Sequence, residues 1–116
     1  MRYEEFKKYR QRMNEKILKE GSLITKRFFA LDSSVYEDGV LPAKTKKLLG
    51  LVASVVLRCN DCILYHLDRC IKLGYSNGEL YEALDVAMIV GGSITIPHIR
   101  YAYEMIDEIR SKTNEK

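Results

Sequence analysis

The sequence predicts an all-α fold of six helices in a single domain. Three observations carry that expectation. Apolar side chains recur at three- and four-residue spacing through most of the chain, as on the buried stripe of a helix. Only 2 prolines and 7 glycines occur in 116 residues, few enough to allow long helices. Capping and stop residues fall where the periodic segments begin and end.

The first helix is expected from Tyr3 to Lys19, with Phe6, Tyr9, Met13 and Ile17 on one stripe and Gly21 as its stop. A second runs from Leu23 to Tyr36, with Ile24, Phe28, Leu31 and Val35 as its stripe, and ends at Asp38-Gly39. Leu41-Pro42 leads into a third, Ala43 to Leu57. Leu48, Leu49, Leu51, Val52, Val55 and Val56 make it apolar on nearly every face, as in a helix buried in a core or between subunits. Its β-branched residues also suit a strand, but its length favours helix. A fourth helix begins around Cys59 to Asp61 and runs to Leu73, with Gly74 as its stop. Ser76 and Glu79 have capping-box spacing and open a fifth, which reaches about Val90 before Gly91-Gly92-Ser93 breaks it. The last carries Pro97 in its first turn, sets Ile99, Tyr103, Ile106 and Ile109 on one stripe, and frays from Lys112 to Lys116. No repeat or linker interrupts this order. Residues 1–40 read as a helical N-terminal extension and 41–105 as the part that bears the chemistry.

Composition narrows the function classes. The chain is 47% hydrophobic and 30% charged, as expected of a soluble globular protein. A net charge of +3, with Lys and Arg mixed among Glu, is no basic stripe for nucleic acid. The opening Met1-Arg2-Tyr3-Glu4-Glu5 lacks the apolar stretch of a secretory signal. No apolar run approaches the roughly 18 residues a membrane span requires. The expectation is a cytoplasmic protein with neither a membrane nor a nucleic-acid partner. In a reducing compartment a close cysteine pair points to catalysis or metal binding rather than a structural staple.

That pair is Cys59 and Cys62, and His66 completes a Cys-x-x-Cys-x-x-x-His segment. On a helix, residues three and four apart share a face, so a helix starting near Cys59 aligns all three. Both thiols then lie beside unpaired N–H groups at the positive end of the helix dipole, which favours the reactive thiolate. His66, one turn further, can take a proton from Cys62 or pair with its thiolate. The set supplies an attacking thiol, a resolving thiol and a base. A metal is the competing reading, because two cysteines and a histidine are three soft or borderline ligands, with only Cys70 and His98 in reach as a fourth. Plain core packing is the other. Cys70 reads as a buried core residue and His98 as a surface or packed histidine. Tyr65, Tyr75, Tyr81, Tyr101 and Tyr103 read as core or interface residues with wet hydroxyls. Lys44, Lys46 and Lys47 read as a solvated first helical turn.

These residues, in this order, resemble the carboxymuconolactone decarboxylase family in its alkylhydroperoxidase AhpD-like branch. The matching stretch runs from Leu41-Pro42-Ala43-Lys44 through Cys59-Asn60-Asp61-Cys62-Ile63-Leu64-Tyr65-His66, Leu73-Gly74-Tyr75-Ser76 and the Glu79 to Val90 helix to Gly91-Gly92-Ser93, over half of the chain. The resemblance implies an all-α fold whose dithiol helices pack against a neighbouring subunit. It also implies a homo-oligomer, with a hexamer favoured and a trimer the alternative. In AhpD-like members the second cysteine attacks a peroxide and the first resolves it, which makes Cys62 the attacking and Cys59 the resolving thiol, with His66 in a proton relay.

The implied function is a thiol-dependent peroxidase or disulfide reductase. Its partners are a small-molecule peroxide or disulfide and a protein or small-thiol reductant, with no cofactor and no metal. The alternatives are a non-redox decarboxylase-type enzyme acting on a small organic acid, and a non-catalytic oligomeric scaffold holding a metal at the Cys/His cluster. The sequence departs from the family at two positions. Lys47 stands where the relay glutamate is usual, twelve residues before the first cysteine, and Asp61 stands where AhpD has a histidine. A lysine cannot shuttle protons as a carboxylate does, so the peroxidase is expected to be weak.

Overall fold

A computed structural model describes residues 2–114. The chain forms α1 (Arg2–Glu20), α2 (Leu23–Val35), α3 (Ala43–Val56), α4 (Asn60–Lys72), α5 (Asn77–Gly91), a 3-10 turn (Ser93–Thr95) and α6 (Ile96–Asn114), with no strand among the described residues. The fold is all-α, as expected. Most helix ends lie within a residue or two of expectation. Helix α5 starts at Asn77, directly after its Ser76 cap, and takes in Gly91. Helix α6 does not fray at Lys112 but continues to Asn114, where the Thr113 hydroxyl donates to the Ile109 carbonyl at 2.9 Å. The expected fraying of Glu115 and Lys116 lies outside the described residues. Two compact units divide the chain, Met1–Ala43 and Lys44–Lys116.

In the first unit, α1 and α2 form a hairpin about Gly21. Its N–H donates to the Ile17 carbonyl at 2.7 Å, and a Cβ there would lie 2.5 Å from the same oxygen. Only glycine lets the chain turn so closely. Ser22 then caps α2 by accepting the Thr25 N–H at 3.2 Å. The apolar stripe of α2 is open to solvent: Ile24 is 79% exposed, Phe28 69%, Leu31 65% and Val35 61%.

The second unit holds the chemistry. Its core is built from the inner faces of four helices: Leu51 and Val55 of α3, Ile63, Leu64 and Leu67 of α4, Leu80 and Leu84 of α5, and Met105, Ile106 and Ile109 of α6, all fully buried. Each buried side chain of this size contributes about 1.5–3 kcal/mol. Helix α4 packs along α6. Gly74, at φ +97°, reverses the chain after α4, where its N–H reaches the Ile71 carbonyl at 3.1 Å. The capping box at the head of α5 closes as expected: the Glu79 N–H donates to Ser76 Oγ at 3.1 Å and the Ser76 N–H to Glu79 Oε1 at 2.9 Å. Arg110 near the end of α6 donates to the Tyr75 carbonyl at 2.8 Å and to Asn77 Oδ1 at 2.9 Å. Helix α3 is less enclosed within the chain than its composition suggested, since Leu49 is exposed, and it ends at Val56, one residue short of the exposed Leu57.

Candidate active site

The site begins where α3 ends. The Arg58 N–H donates to the Val55 carbonyl and the Cys59 N–H to the Ser54 carbonyl, each at 3.0 Å, a paired bond pattern that closes a helix end. The pattern needs a left-handed residue, and Arg58 supplies it at φ +59°. A non-glycine residue there costs about 1–2 kcal/mol. That strain falls on the residue just before Cys59.

Cys59 is the N-cap of α4 rather than part of the helix, because its backbone is extended (φ −105°, ψ 100°). Its Sγ accepts the Cys62 N–H at 3.2 Å, taking the place of the usual cap oxygen. Cys59 and Cys62 are joined by a disulfide, with Cα atoms 5.3 Å apart. Cys59 is half-buried and Cys62 exposed, so the pair reaches the surface at the positive end of α4.

His66 lies one turn beyond Cys62 in α4 and is buried. Its ring rests against Gly50 of α3: a Cβ on Gly50 would come within 2.5 Å of His66 Cε1 and 2.8 Å of both ring nitrogens. The glycine makes room for the imidazole. We therefore expect Gly50→Ala to displace the ring and to cost about 1–3 kcal/mol, as overpacking does. Thermal unfolding and His66 ring resonances by NMR check this; unchanged resonances would mean that the ring has slack.

Lys47 corrects the solvated-turn reading. It is buried, one turn before Gly50 on the face of α3 that meets α4. Its ammonium donates to the Tyr65 hydroxyl at 2.9 Å and lies 4.7 Å from the centre of the Tyr65 ring. The Tyr65 ring in turn meets His66 edge-on, with centroids 5.1 Å apart. Lys44 is exposed, as expected, and sits over the Tyr75 ring. Cys70 is fully buried, as expected of a core residue. Desolvation pushes its thiol up to about 12, with the charge of Lys47 pulling the other way. It stays protonated at neutral pH and is no competitor for the exposed pair.

His98, read from the sequence as surface or packed, joins this end of the molecule. It is half-buried in the first turn of α6, and its Nδ1 lies 2.8 Å from Oδ1 of Asn60, the residue that follows Cys59. Gly50 carried no signal in the sequence, since it reaches the site from another helix; Lys47 was placed here by the family resemblance, and His98 was weighed only as a metal ligand.

Among the described residues, no three His, Cys, Asp or Glu side chains are placed to share a metal ion. Elemental analysis should find no stoichiometric zinc. One equivalent per chain that survives a chelator would favour a metal at the cysteines.

The fold and site define a class of all-α proteins with a Cys-x-x-Cys pair at a helix N-terminus. A sequence model of the carboxymuconolactone decarboxylase family matches residues 23–105, and the chain belongs to that family. Two crystal structures of one Thermotoga maritima protein are 54% identical to it. One gives a TM-score of 0.93 and covers 97% of this chain and 98% of that one. The other gives 0.91, with 96% and 94% covered, and is described as a protein of this family with a possible part in an antioxidative response. A Legionella pneumophila family member, solved in its apo form, is 28% identical with a TM-score of 0.85 over 93% of this chain and 96% of that one. An uncharacterized protein from the cox locus of Paracoccus denitrificans is 32% identical over 77% of this chain and 80% of its own length.

Proposed function

We propose that this protein is a thiol-dependent redox protein in which Cys62 attacks, Cys59 resolves and His66 moves the proton. The observation that carries this reading is the Cys59–Cys62 disulfide at the N-terminus of α4, with Cys62 open to solvent. With a hydroperoxide, the Cys62 thiolate attacks the terminal oxygen and the O–O bond breaks. The alkoxide leaves with a proton supplied through His66, and Cys62 becomes a sulfenic acid. The Cys59 thiol then displaces water and forms the disulfide. A thiol reductant returns two electrons and two protons. With a disulfide substrate the same thiolate attacks one sulfur and expels the other as a thiolate; Cys59 then attacks the Cys62 sulfur of the mixed disulfide, expels the second thiolate and closes the Cys59–Cys62 bond. The possible antioxidative role described for the Thermotoga maritima relative supports the reading. Dependence on reduction suits a cytoplasmic protein, and no described helix is long and apolar enough to cross a membrane. Peptide mapping after mild oxidation tests the pairing. Loss of two hydrogens from the peptide holding both cysteines supports it; pairing of Cys70, or no oxidation, overturns it.

We further propose a homo-oligomer, more readily a hexamer than a trimer. The support is apolar surface beyond what a monomer normally leaves open: the stripe of α2, and Val86, Ile89 and Val90 of α5 at 52%, 84% and 68% exposure. Light scattering at micromolar concentration should give a multiple of the 13.4 kDa chain mass. A mass equal to one chain overturns the assembly and leaves the dithiol chemistry standing.

A further inference from the structure

We propose that His98 is a positioning residue of the dithiol: through Asn60 it holds the first turn of α4 in place when the Cys59–Cys62 bond is open, and so sets how readily that bond is reduced. The inference rests on the redox reading above and concerns the regulation of the same site.

The double-glycine turn delivers His98. Helix α5 runs to Gly91, where a Cβ would lie 2.5 Å from the Thr95 methyl, and Gly92 turns the chain at φ +83°. Thr95 is fully buried and donates its hydroxyl to the Gly92 carbonyl at 2.8 Å, which fixes the 3-10 turn. The chain then enters α6 with His98 in its first turn, beside the first turn of α4. There His98 Nδ1 and Asn60 Oδ1 are 2.8 Å apart across 38 residues of sequence. Asn60 is the first residue of α4, between the Cys59 cap and Cys62.

In the oxidised state the covalent ring through Cys59 and Cys62 constrains this turn by itself. In the reduced state the turn relies on the Cys59 Sγ cap and on the His98–Asn60 bond. Helix ends fray first, and a frayed turn no longer offers its N–H groups to a thiolate. The tether thus stabilises the reduced form more than the oxidised one. Its loss shifts the couple toward the disulfide.

The experiment measures the equilibrium of the full-length protein in glutathione redox buffers. Two glutathione thiols supply two electrons; the Cys59–Cys62 bond breaks, each sulfur takes up a proton, and glutathione disulfide forms. One neutral hydrogen bond corresponds to a factor of about two to ten in an equilibrium constant. We expect His98→Phe and Asn60→Ala each to shift the constant toward disulfide by that factor; tenfold is about 30 mV for a two-electron couple. The double variant should be no worse than either single one. His98→Asn, whose amide can still meet Asn60, should restore most of the wild-type value. If His98 served only to fill space, His98→Phe would retain that value and His98→Asn would not. Wild-type constants in both His98→Phe and Asn60→Ala overturn the proposal and leave the dithiol reading intact. A wild-type disulfide that glutathione cannot open reversibly overturns both.

Discussion

Cys62→Ser should abolish reaction with an organic hydroperoxide, while Cys59→Ser should consume one equivalent and stop. The difference follows from position. Cys62 is exposed and one turn from His66 along α4; Cys59 is half-buried at the cap, where its sulfur already accepts the Cys62 N–H. A serine hydroxyl is almost never ionised at neutral pH, so losing the nucleophile should cost on the order of 10³-fold or more. Without Cys59 the first step still runs, but the Cys62 sulfenic acid has no resolving thiol. A sulfenic-acid probe should label Cys62 in Cys59→Ser and nothing in Cys62→Ser. If the labelling pattern is the reverse, the two roles are exchanged.

Lys47→Glu should raise the rate with the same hydroperoxide by at least about tenfold, a figure below the usual 10²–10⁴-fold contribution of a general acid or base. Position 47 faces α4 one turn from Gly50, the residue against which the His66 ring rests. An ammonium on that face disfavours the imidazolium that His66 becomes when it accepts a proton; a carboxylate favours it. Tyr65, which now accepts from Lys47 at 2.9 Å, can instead donate to the new carboxylate, so the buried position keeps a partner. The cysteines and His66 should remain essential in the variant. A well-folded Lys47→Glu that gains nothing would mean that position 47 is outside the relay. Disulfide exchange, which needs no proton for an alkoxide, should change less.

The helices were legible because their local signals agree with the fold. Ser76 with Glu79, Gly74 after α4 and Gly21 after α1 mark the ends where the chain turns. The cysteine pair was legible because its spacing is local. What stayed hidden depends on partners far along the chain. By charge pattern Lys47 reads as part of a solvated turn, although the resemblance puts it at the relay position; its bond to the Tyr65 hydroxyl, 18 residues on, goes with its burial. Gly50 carries no local signal, and its part comes from the His66 ring that lies against it. His98 gains meaning only from Asn60. The stripe of α2 shows the limit of periodicity, which reveals an apolar face but not what covers it.

The central claim is that Cys59 and Cys62 are a working dithiol and Cys70 is a bystander. Thiol titration of the native, reduced protein before and after a limiting dose of hydroperoxide tests it most directly. The account predicts two reactive thiols that disappear together, one equivalent of oxidant removing both and a thiol reductant restoring both. Cys70, whose thiol burial holds up to about 12, should react only after unfolding. Two native thiols that survive the oxidant, or a loss that includes Cys70, would contradict it.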